Sequence, residues 1–384
     1  MESSPQIIPD PTRTMGLYLH IPFCATRCSY CDFNTYSPAQ LDHPHLGNWV
    51  DYLIGELILI APRINSIELS TIFIGGGTPS LLGARGLCRL IEVIRDHYPC
   101  SPEIEITTEA NPESTNQAFF DELIDRGFTR ISMGMQAYNP TLLTLLGRTH
   151  EPQRPLQAIS QARQAGFQHL NLDLIYGIPG ETLQDLHQCL QLALDSGIDH
   201  LSAYALTIEP ATPLGRQLAN GQLRVVDDDQ VAQRYEFLEY YLHQHGFDWY
   251  EISNWSRTGG RCRHNWAYWT GGQYWGIGPG AHSHIGTWRY WNIKHPHPYQ
   301  ERIQAGHLGL EGYESLRPDQ IHLETLMLGL RTRQGIPLSL LTEDQINQAQ
   351  FLCQQGLVEC DHTHLRLLLP GRLIANRIIE LLSS

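Results

Sequence analysis

Three cysteines stand close together early in the chain, in the run His20-Ile21-Pro22-Phe23-Cys24-Ala25-Thr26-Arg27-Cys28-Ser29-Tyr30-Cys31-Asp32-Phe33. Thiolates spaced C-x3-C-x2-C on one loop can hold three irons of a cubane iron–sulfur cluster and leave the fourth iron open to an outside ligand. Zinc is the alternative. A closed zinc site wants a fourth ligand, and only His20 and Asp32 lie nearby, with no second C-x2-C in the chain. The spacing favours the open cluster. Cys88, Cys100, Cys189, Cys262, Cys353 and Cys360 are scattered singly and read as buried, inert thiols.

Further chemistry-bearing residues recur downstream. Gly75-Gly76-Gly77-Thr78-Pro79 lacks side chains that would keep a ligand away from the backbone. It also lacks the Lys of a phosphate-binding P-loop and does not fit G-x-G-x-x-G. Glu109 follows in Thr108-Glu109-Ala110-Asn111-Pro112, Gln136 in Ser132-Met133-Gly134-Met135-Gln136, and Asp173 shortly before Tyr176-Gly177-Ile178-Pro179-Gly180. Any one of these alone reads as an ordinary loop residue or cap.

The elements that must position them show as an alternation. Residues 16–21, 71–74, 103–107, 130–133, 170–174 and 201–205 read as six strands, with helix-like stretches between them such as 87–98 and 183–196, the latter with Thr182 as its N-cap. Strand, helix, strand at this spacing means right-handed parallel units, and six suggest a barrel or part of one. The polar and glycine features then fall at the C-terminal ends of successive strands, where such folds build their sites. After about residue 213 the rhythm stops. An acidic segment leads into a helix, then an aromatic, glycine-rich region, and a helix-plus-wing pattern closes the chain.

The 384 residues predict two to three domains, and a composition 42% hydrophobic and 17% charged excludes a disordered chain. No apolar run reaches the length of a membrane span, since residues 52–60 are broken by Glu56. A net charge of -14 argues against broad binding to nucleic acid or anionic membrane. Nine cysteines, an odd count, behind a start with neither a basic flank nor an apolar segment, argue against a disulfide framework and for a reduced, cytoplasmic setting.

With Tyr30 just before the third cysteine, the chain resembles the radical S-adenosylmethionine (SAM) superfamily. Within it, the sequence is similar over nearly its whole length to the group containing oxygen-independent coproporphyrinogen III oxidases and HemW-type haem chaperones. The resemblance implies an α/β fold, a partial (β/α)6 radical SAM barrel with a smaller C-terminal helical, winged-helix-like domain. The expected divisions are a loose tail (1–14), the barrel with cluster and SAM site (15–213), an aromatic-rich extension (214–310) and the C-terminal domain (311–384). It implies that Cys24, Cys28 and Cys31 bind a [4Fe–4S] cluster, and that Tyr18, Phe33, Gly76, Gly77, Thr78, Glu109, Gln136, Arg148 and Asp173 form the SAM site. SAM would chelate the open iron, and an electron from the cluster would cleave the sulfonium to methionine and a 5′-deoxyadenosyl radical.

Two features separate the branches of this group. The oxidases usually carry C-x3-C-x2-C-x-C and a longer segment before the first strand; here the position after Asp32 is Phe33, and about 14 residues precede that strand. The chaperone branch carries H-N-R-x-Y-W, and this chain reads His264-Asn265-Trp266-Ala267-Tyr268-Trp269, with Trp266 in place of the Arg. Seven of the eight tryptophans fall between Trp249 and Trp291, offering flat apolar surface to a porphyrin while His264 ligates its iron. Alternatively His264 only hydrogen-bonds within an aromatic β subdomain; His282, His284 and Cys262 are other candidate ligands, and Arg261 and Arg263 lie close to the substituted position. The expected function is therefore a haem chaperone holding cluster, SAM and haem. Its partners would be a haem-accepting protein, including a transient membrane-protein acceptor, and an electron donor such as a ferredoxin or flavodoxin. The alternatives are a coproporphyrinogen III oxidase and a radical SAM enzyme modifying RNA or a metabolite, so its status as an enzyme stays open.

Overall fold

The computed structural model describes residues 7–13, 15–37, 40 and 46–383. Six parallel strands run in consecutive order: β1 (Met15–Ile21), β2 (Leu69–Gly76), β3 (Cys100–Ala110), β4 (Arg130–Gln136), β5 (His169–Tyr176) and β6 (His200–Ala205). Leu17, Leu19, Ile72 and Ile74 are fully buried on the face that the helices cover, while the alternate residues Tyr18, Thr71 and Phe73 turn to the inside of the sheet. The helix Leu183–Asp195 shows how such a crossover is specified. Thr182 and Asp185 cap its N-terminus reciprocally, and Leu186, Cys189, Leu190 and Ala193 recur on one buried stripe.

The sheet does not close on itself. Beyond β6 it continues antiparallel through β8 (Asn254–Ser256) to β7 (Asp248–Glu251). On the other side β9 (Gln273–Ile277) lies parallel to β1, followed by antiparallel β10 (His282–Ile285), β11 (Trp288–Asn292) and β12 (Leu310–Ser315). The aromatic-rich segment is thus not a subdomain with its own core. It extends both edges of one twelve-stranded sheet, and Trp249, Trp255, Trp275 and Tyr290 join the main core. The expected boundary at 311 falls inside β12, so the C-terminal unit starts after that strand. Its three-stranded sheet, β13 (Ile336–Pro337), β15 (His364–Leu367) and β14 (Val358–Cys360) in spatial order, packs with the helices Pro318–Gly329, Glu343–Gln354 and Ala375–Ser383 around a separate core that includes Leu326, Leu352 and Ile378.

Residues 1–6 and 14 of the expected loose tail lie outside the described residues. Residues 7–13 are tied down: Ile7 enters the core, Gln273 exchanges two hydrogen bonds with the Asp10 backbone, and Arg13 donates to the Gly271 carbonyl. Of the scattered cysteines, Cys88, Cys189 and Cys262 are buried as expected. Cys100 and Cys353 are only partly buried, and Cys360 is exposed, its sulfur 3.1 Å from that of Cys353. No helix among the described residues is long and apolar enough to cross a membrane.

One buried carboxylate joins the first crossover to the sheet extension. Glu56, in the helix Leu46–Ile64, accepts hydrogen bonds from Tyr299 Oη, Asn292 Nδ2 and the Gly278 and Gly309 amides. Burial without a cation pushes its pKa from 4.5 up to about 7. Between those two values the folded chain keeps a proton that the unfolded chain has lost. This site's contribution therefore falls by up to about 3 kcal/mol as pH rises from 4.5 to 7 and is level above. Urea denaturation across this range should show stability falling by about 3 kcal/mol less in Glu56→Gln than in the parent, because the other raised carboxylates, Glu109 among them, titrate in both.

Candidate functional site

The cysteine loop leaves β1 and is held by its backbone. Cys24 and Tyr36 are joined by the Cys24 amide donating to the Tyr36 carbonyl at 3.0 Å, while the Gly77 and Thr78 amides donate to the Ile21 and Phe23 carbonyls at 2.7 Å. A side chain at Gly77 would place its Cβ 2.5 Å from the Phe23 oxygen and 3.0 Å from Cys24 Sγ. The glycine run is therefore needed to let β2 seat the loop. Asn34 Nδ2 donates to the Pro279 and Lys294 carbonyls, fastening the far side of the loop to the sheet extension.

The three cysteines face a cavity of about 600 Å³ at the C-terminal ends of the parallel strands. Phe33, Gly76, Gly77, Thr78, Glu109, Gln136, Arg148 and Asp173 line the same space. Burial raises the Cys24 thiol pKa, and the neighbouring Cys31 and Cys28 add to this, so three adjacent thiolates need a positive partner. Glu109 accepts from the Gly76 amide at 3.0 Å, and burial beside Asp173 pushes it up to about 8. Asp173 is likewise raised by burial, against hydrogen bonds from Ser202, Asn171 and Ser132. Arg148 reaches Tyr30 Oη at 3.5 Å, while its buried Nε finds no partner among the described residues. Gln136 has φ 63°, the one left-handed non-glycine among the described residues, where the β4–β5 register shifts. Such strain persists only where surrounding structure holds it.

A second cavity, of about 1210 Å³, lies between the β1–β9–β10 face and the C-terminal unit. Phe33, Gly76 and Glu109 line both spaces, and Phe33 is 65% exposed between them. Tyr18 lines this larger cavity and not the smaller one, with its hydroxyl 2.9 Å from His20 Nδ1. Tyr268, Trp269, His282 and His284 also line it.

His264 lines neither cavity. Only 1% of it is exposed; its Nδ1 meets Thr71 Oγ1 and its Nε2 meets Tyr268 Oη, both at 2.8 Å. Burial pushes its pKa down to about 4. With both ring nitrogens taken, it holds the helix Arg263–Trp269 in the barrel interior and is corrected from candidate iron ligand to structural residue. Cys262, buried with its thiol toward Glu105, lines neither cavity and is likewise structural. Trp266 lies under the Arg261 guanidinium beside Tyr250, away from both cavities, so the departure from the family Arg does not alter their walls.

Sequence reasoning missed Asn111, His150 and Tyr204, which complete the smaller cavity. Buried Asn111 Oδ1 and His150 Nε2 also lack partners among the described residues. Asn111 and His150 each lie two residues beyond a residue already singled out, which was the available signal. Paired carboxylates, an arginine with a free edge and partnerless polar atoms suit a ligand carrying both an anionic and a cationic group, as an amino-acid-bearing sulfonium does, next to three thiols.

Residues 18–193 match the Radical SAM superfamily. A protein of Mycobacterium tuberculosis named heme chaperone HemW is 46% identical over 378 residues, 98% of this chain and 97% of that protein. The Bacillus subtilis protein of the same name is 32% identical over 371 residues, 94% and 97% of the two chains. The solved coproporphyrinogen III oxidase HemN of Escherichia coli, described as a radical SAM enzyme, superposes with a TM-score of 0.84 at 23% identity. It covers 99% of this chain and 92% of that one, a likeness of fold.

Proposed function

Because this chain belongs to the HemW family of the radical SAM superfamily, we propose that it is a haem chaperone that binds a [4Fe–4S] cluster and SAM, holds haem and passes it to a haem-dependent acceptor protein. The observation that carries this reading is the meeting of two cavities at Phe33, one walled by thiols and carboxylates, the other wide enough for a macrocycle. Cys24, Cys28 and Cys31 would hold the cluster. Glu109 and Asp173 would accept hydrogen bonds from SAM hydroxyl or amino groups, and Arg148 would take its carboxylate. When bound, the cluster and SAM supply one-electron chemistry at the sulfonium, with a ferredoxin or flavodoxin as donor. Phe33 stands where the oxidases keep a fourth cysteine and gives the larger cavity an apolar wall instead. The setting is the cytoplasm, with soluble or membrane-bound haem proteins as acceptors.

Anaerobic reconstitution followed by separate assays tests this. The protein should bind haem and, supplied with SAM and reductant, form no vinyl product from coproporphyrinogen III. Measured decarboxylation would establish the oxidase instead.

SAM should also perturb the electron paramagnetic resonance spectrum of the reduced cluster. Glu109→Ala should weaken the SAM dependence of that change by about ten- to a hundredfold, the ~1.5–3 kcal/mol of a hydrogen bond to a charged group. Because Glu109 titrates near pH 8 without ligand and a cationic ligand prefers it ionised, SAM should bind more tightly as pH rises from 6 to 8 and level off above. A titration flat with pH would show that Glu109 does not face the cationic end of SAM.

A further inference from the structure

Four imidazoles lie in or beside the larger cavity, and two are disqualified as iron ligands by their surroundings. His264 is engaged at both ring nitrogens in the core. His20 is too, by Tyr18 Oη at 2.9 Å and the Asn34 carbonyl at 3.0 Å. His282 is exposed at the end of β10, its ring beside Trp291. His284, two residues further along the same strand and so on the same face, is only partly exposed and sits deeper.

We propose that His284 is the axial ligand of haem bound in this cavity, an assignment that rests on the haem-chaperone reading above. On β9 its register partner is Tyr274, whose ring stands edge-on to the imidazole at 6.4 Å, and on β11 its partner is Arg289. The backbone oxygens of Gly286 and Gly272 lie against the ring. A neutral imidazole has a single N–H, so only one of these carbonyls can accept from it; neither can donate to the other ring nitrogen, whose lone pair stays open to a metal.

The rest of the cavity suits the same ligand. At about 1210 Å³ it exceeds the roughly 300–1,000 Å³ of ordinary small-molecule sites. Trp269, Leu316, Ile321 and Leu328 supply apolar wall from two units of the chain. Arg289, paired with Glu324 at 2.6 Å and Glu314 at 3.7 Å, and Arg13, paired with Asp10 at 3.5 Å, offer positive charge for propionates, which would exchange with Glu324 and Asp10. Haem would thus bridge the sheet extension and the C-terminal unit, with Phe33 between it and the cysteine loop.

The test uses full-length reconstituted protein loaded with haem, reading the Soret band and the rate of haem loss to excess apomyoglobin. His284→Ala should shift the band and speed haem loss at least tenfold, while cluster content and far-ultraviolet circular dichroism match the parent. Free imidazole added to this variant should restore the parental band, which a merely structural role would not allow. His282→Ala should keep the parental band. A His284→Ala variant with parental spectrum and rate, or a ligand loss seen in His282→Ala instead, overturns the assignment. A parent chain that takes up no haem overturns the haem-chaperone reading itself.

Discussion

Combining Cys24→Ala, Cys28→Ala and Cys31→Ala should leave the anaerobically reconstituted protein with almost no iron, against about four irons and four sulfides expected per parent chain. The reason is the absence of substitutes. Cys88, Cys189 and Cys262 are buried in other parts of the fold, and none of the six remaining cysteines lines the cavity that the triad faces. The loop should survive the change, because its anchors are amides and carbonyls of residues 21–24, 36, 77 and 78 rather than thiols. Circular dichroism should therefore match the parent while iron and sulfide disappear. Zinc in the anaerobically purified parent, at one ion per chain and displacing iron, would return the triad to the zinc alternative and remove the redox chemistry.

Glu105→Ala should destabilise the protein by about 3–5 kcal/mol, the cost of leaving a buried charge without its partner. Glu105, on β3, pairs with Arg130 on β4 at 3.4 Å, and both are almost wholly buried. The same carboxylate accepts from the Arg263 and His264 amides at 3.0 Å, the first turn of the helix bearing the His-Asn-x-x-Tyr-Trp sequence, where negative charge is favoured. Arg130 in turn donates to the Gly260 and Arg261 carbonyls just before that helix. Removing Glu105 strands the guanidinium and releases the helix together, so the urea midpoint should fall sharply. Replacing Glu105 and Arg130 together by apolar residues of similar size should cost less than Glu105→Ala alone, because no buried charge is left behind. A loss below about 1 kcal/mol for Glu105→Ala would show that water reaches the pair and that the helix is held by packing alone.

These two sites differ in how far they could be read from the sequence. The cysteine loop, the glycine run and the carboxylates near the end of β3 and within β5 are legible because parallel strand–helix alternation sends successive strand ends to one side of a sheet. Local periodicity is enough to infer that. Residues two positions beyond those marked, Asn111 and His150, were missed because a single polar loop residue carries no periodicity of its own.

The His-Asn-x-x-Tyr-Trp segment is the opposite case. Its residues are visible in the sequence, but its role is set by partners 193 and 159 positions away, Thr71 for the His264 ring and Glu105 for its amide. The same holds for the aromatic region. Alternating apolar residues mark its strands, yet nothing local says that β7 and β8 join one edge of the sheet while β9 to β12 extend the other. Sequence pattern specifies which residues turn inward and where backbone must lack side chains, since both follow from the geometry of single elements. Which histidine is engaged at both nitrogens in the core and which faces a cavity follows from which strands become neighbours, and only the folded chain decides that.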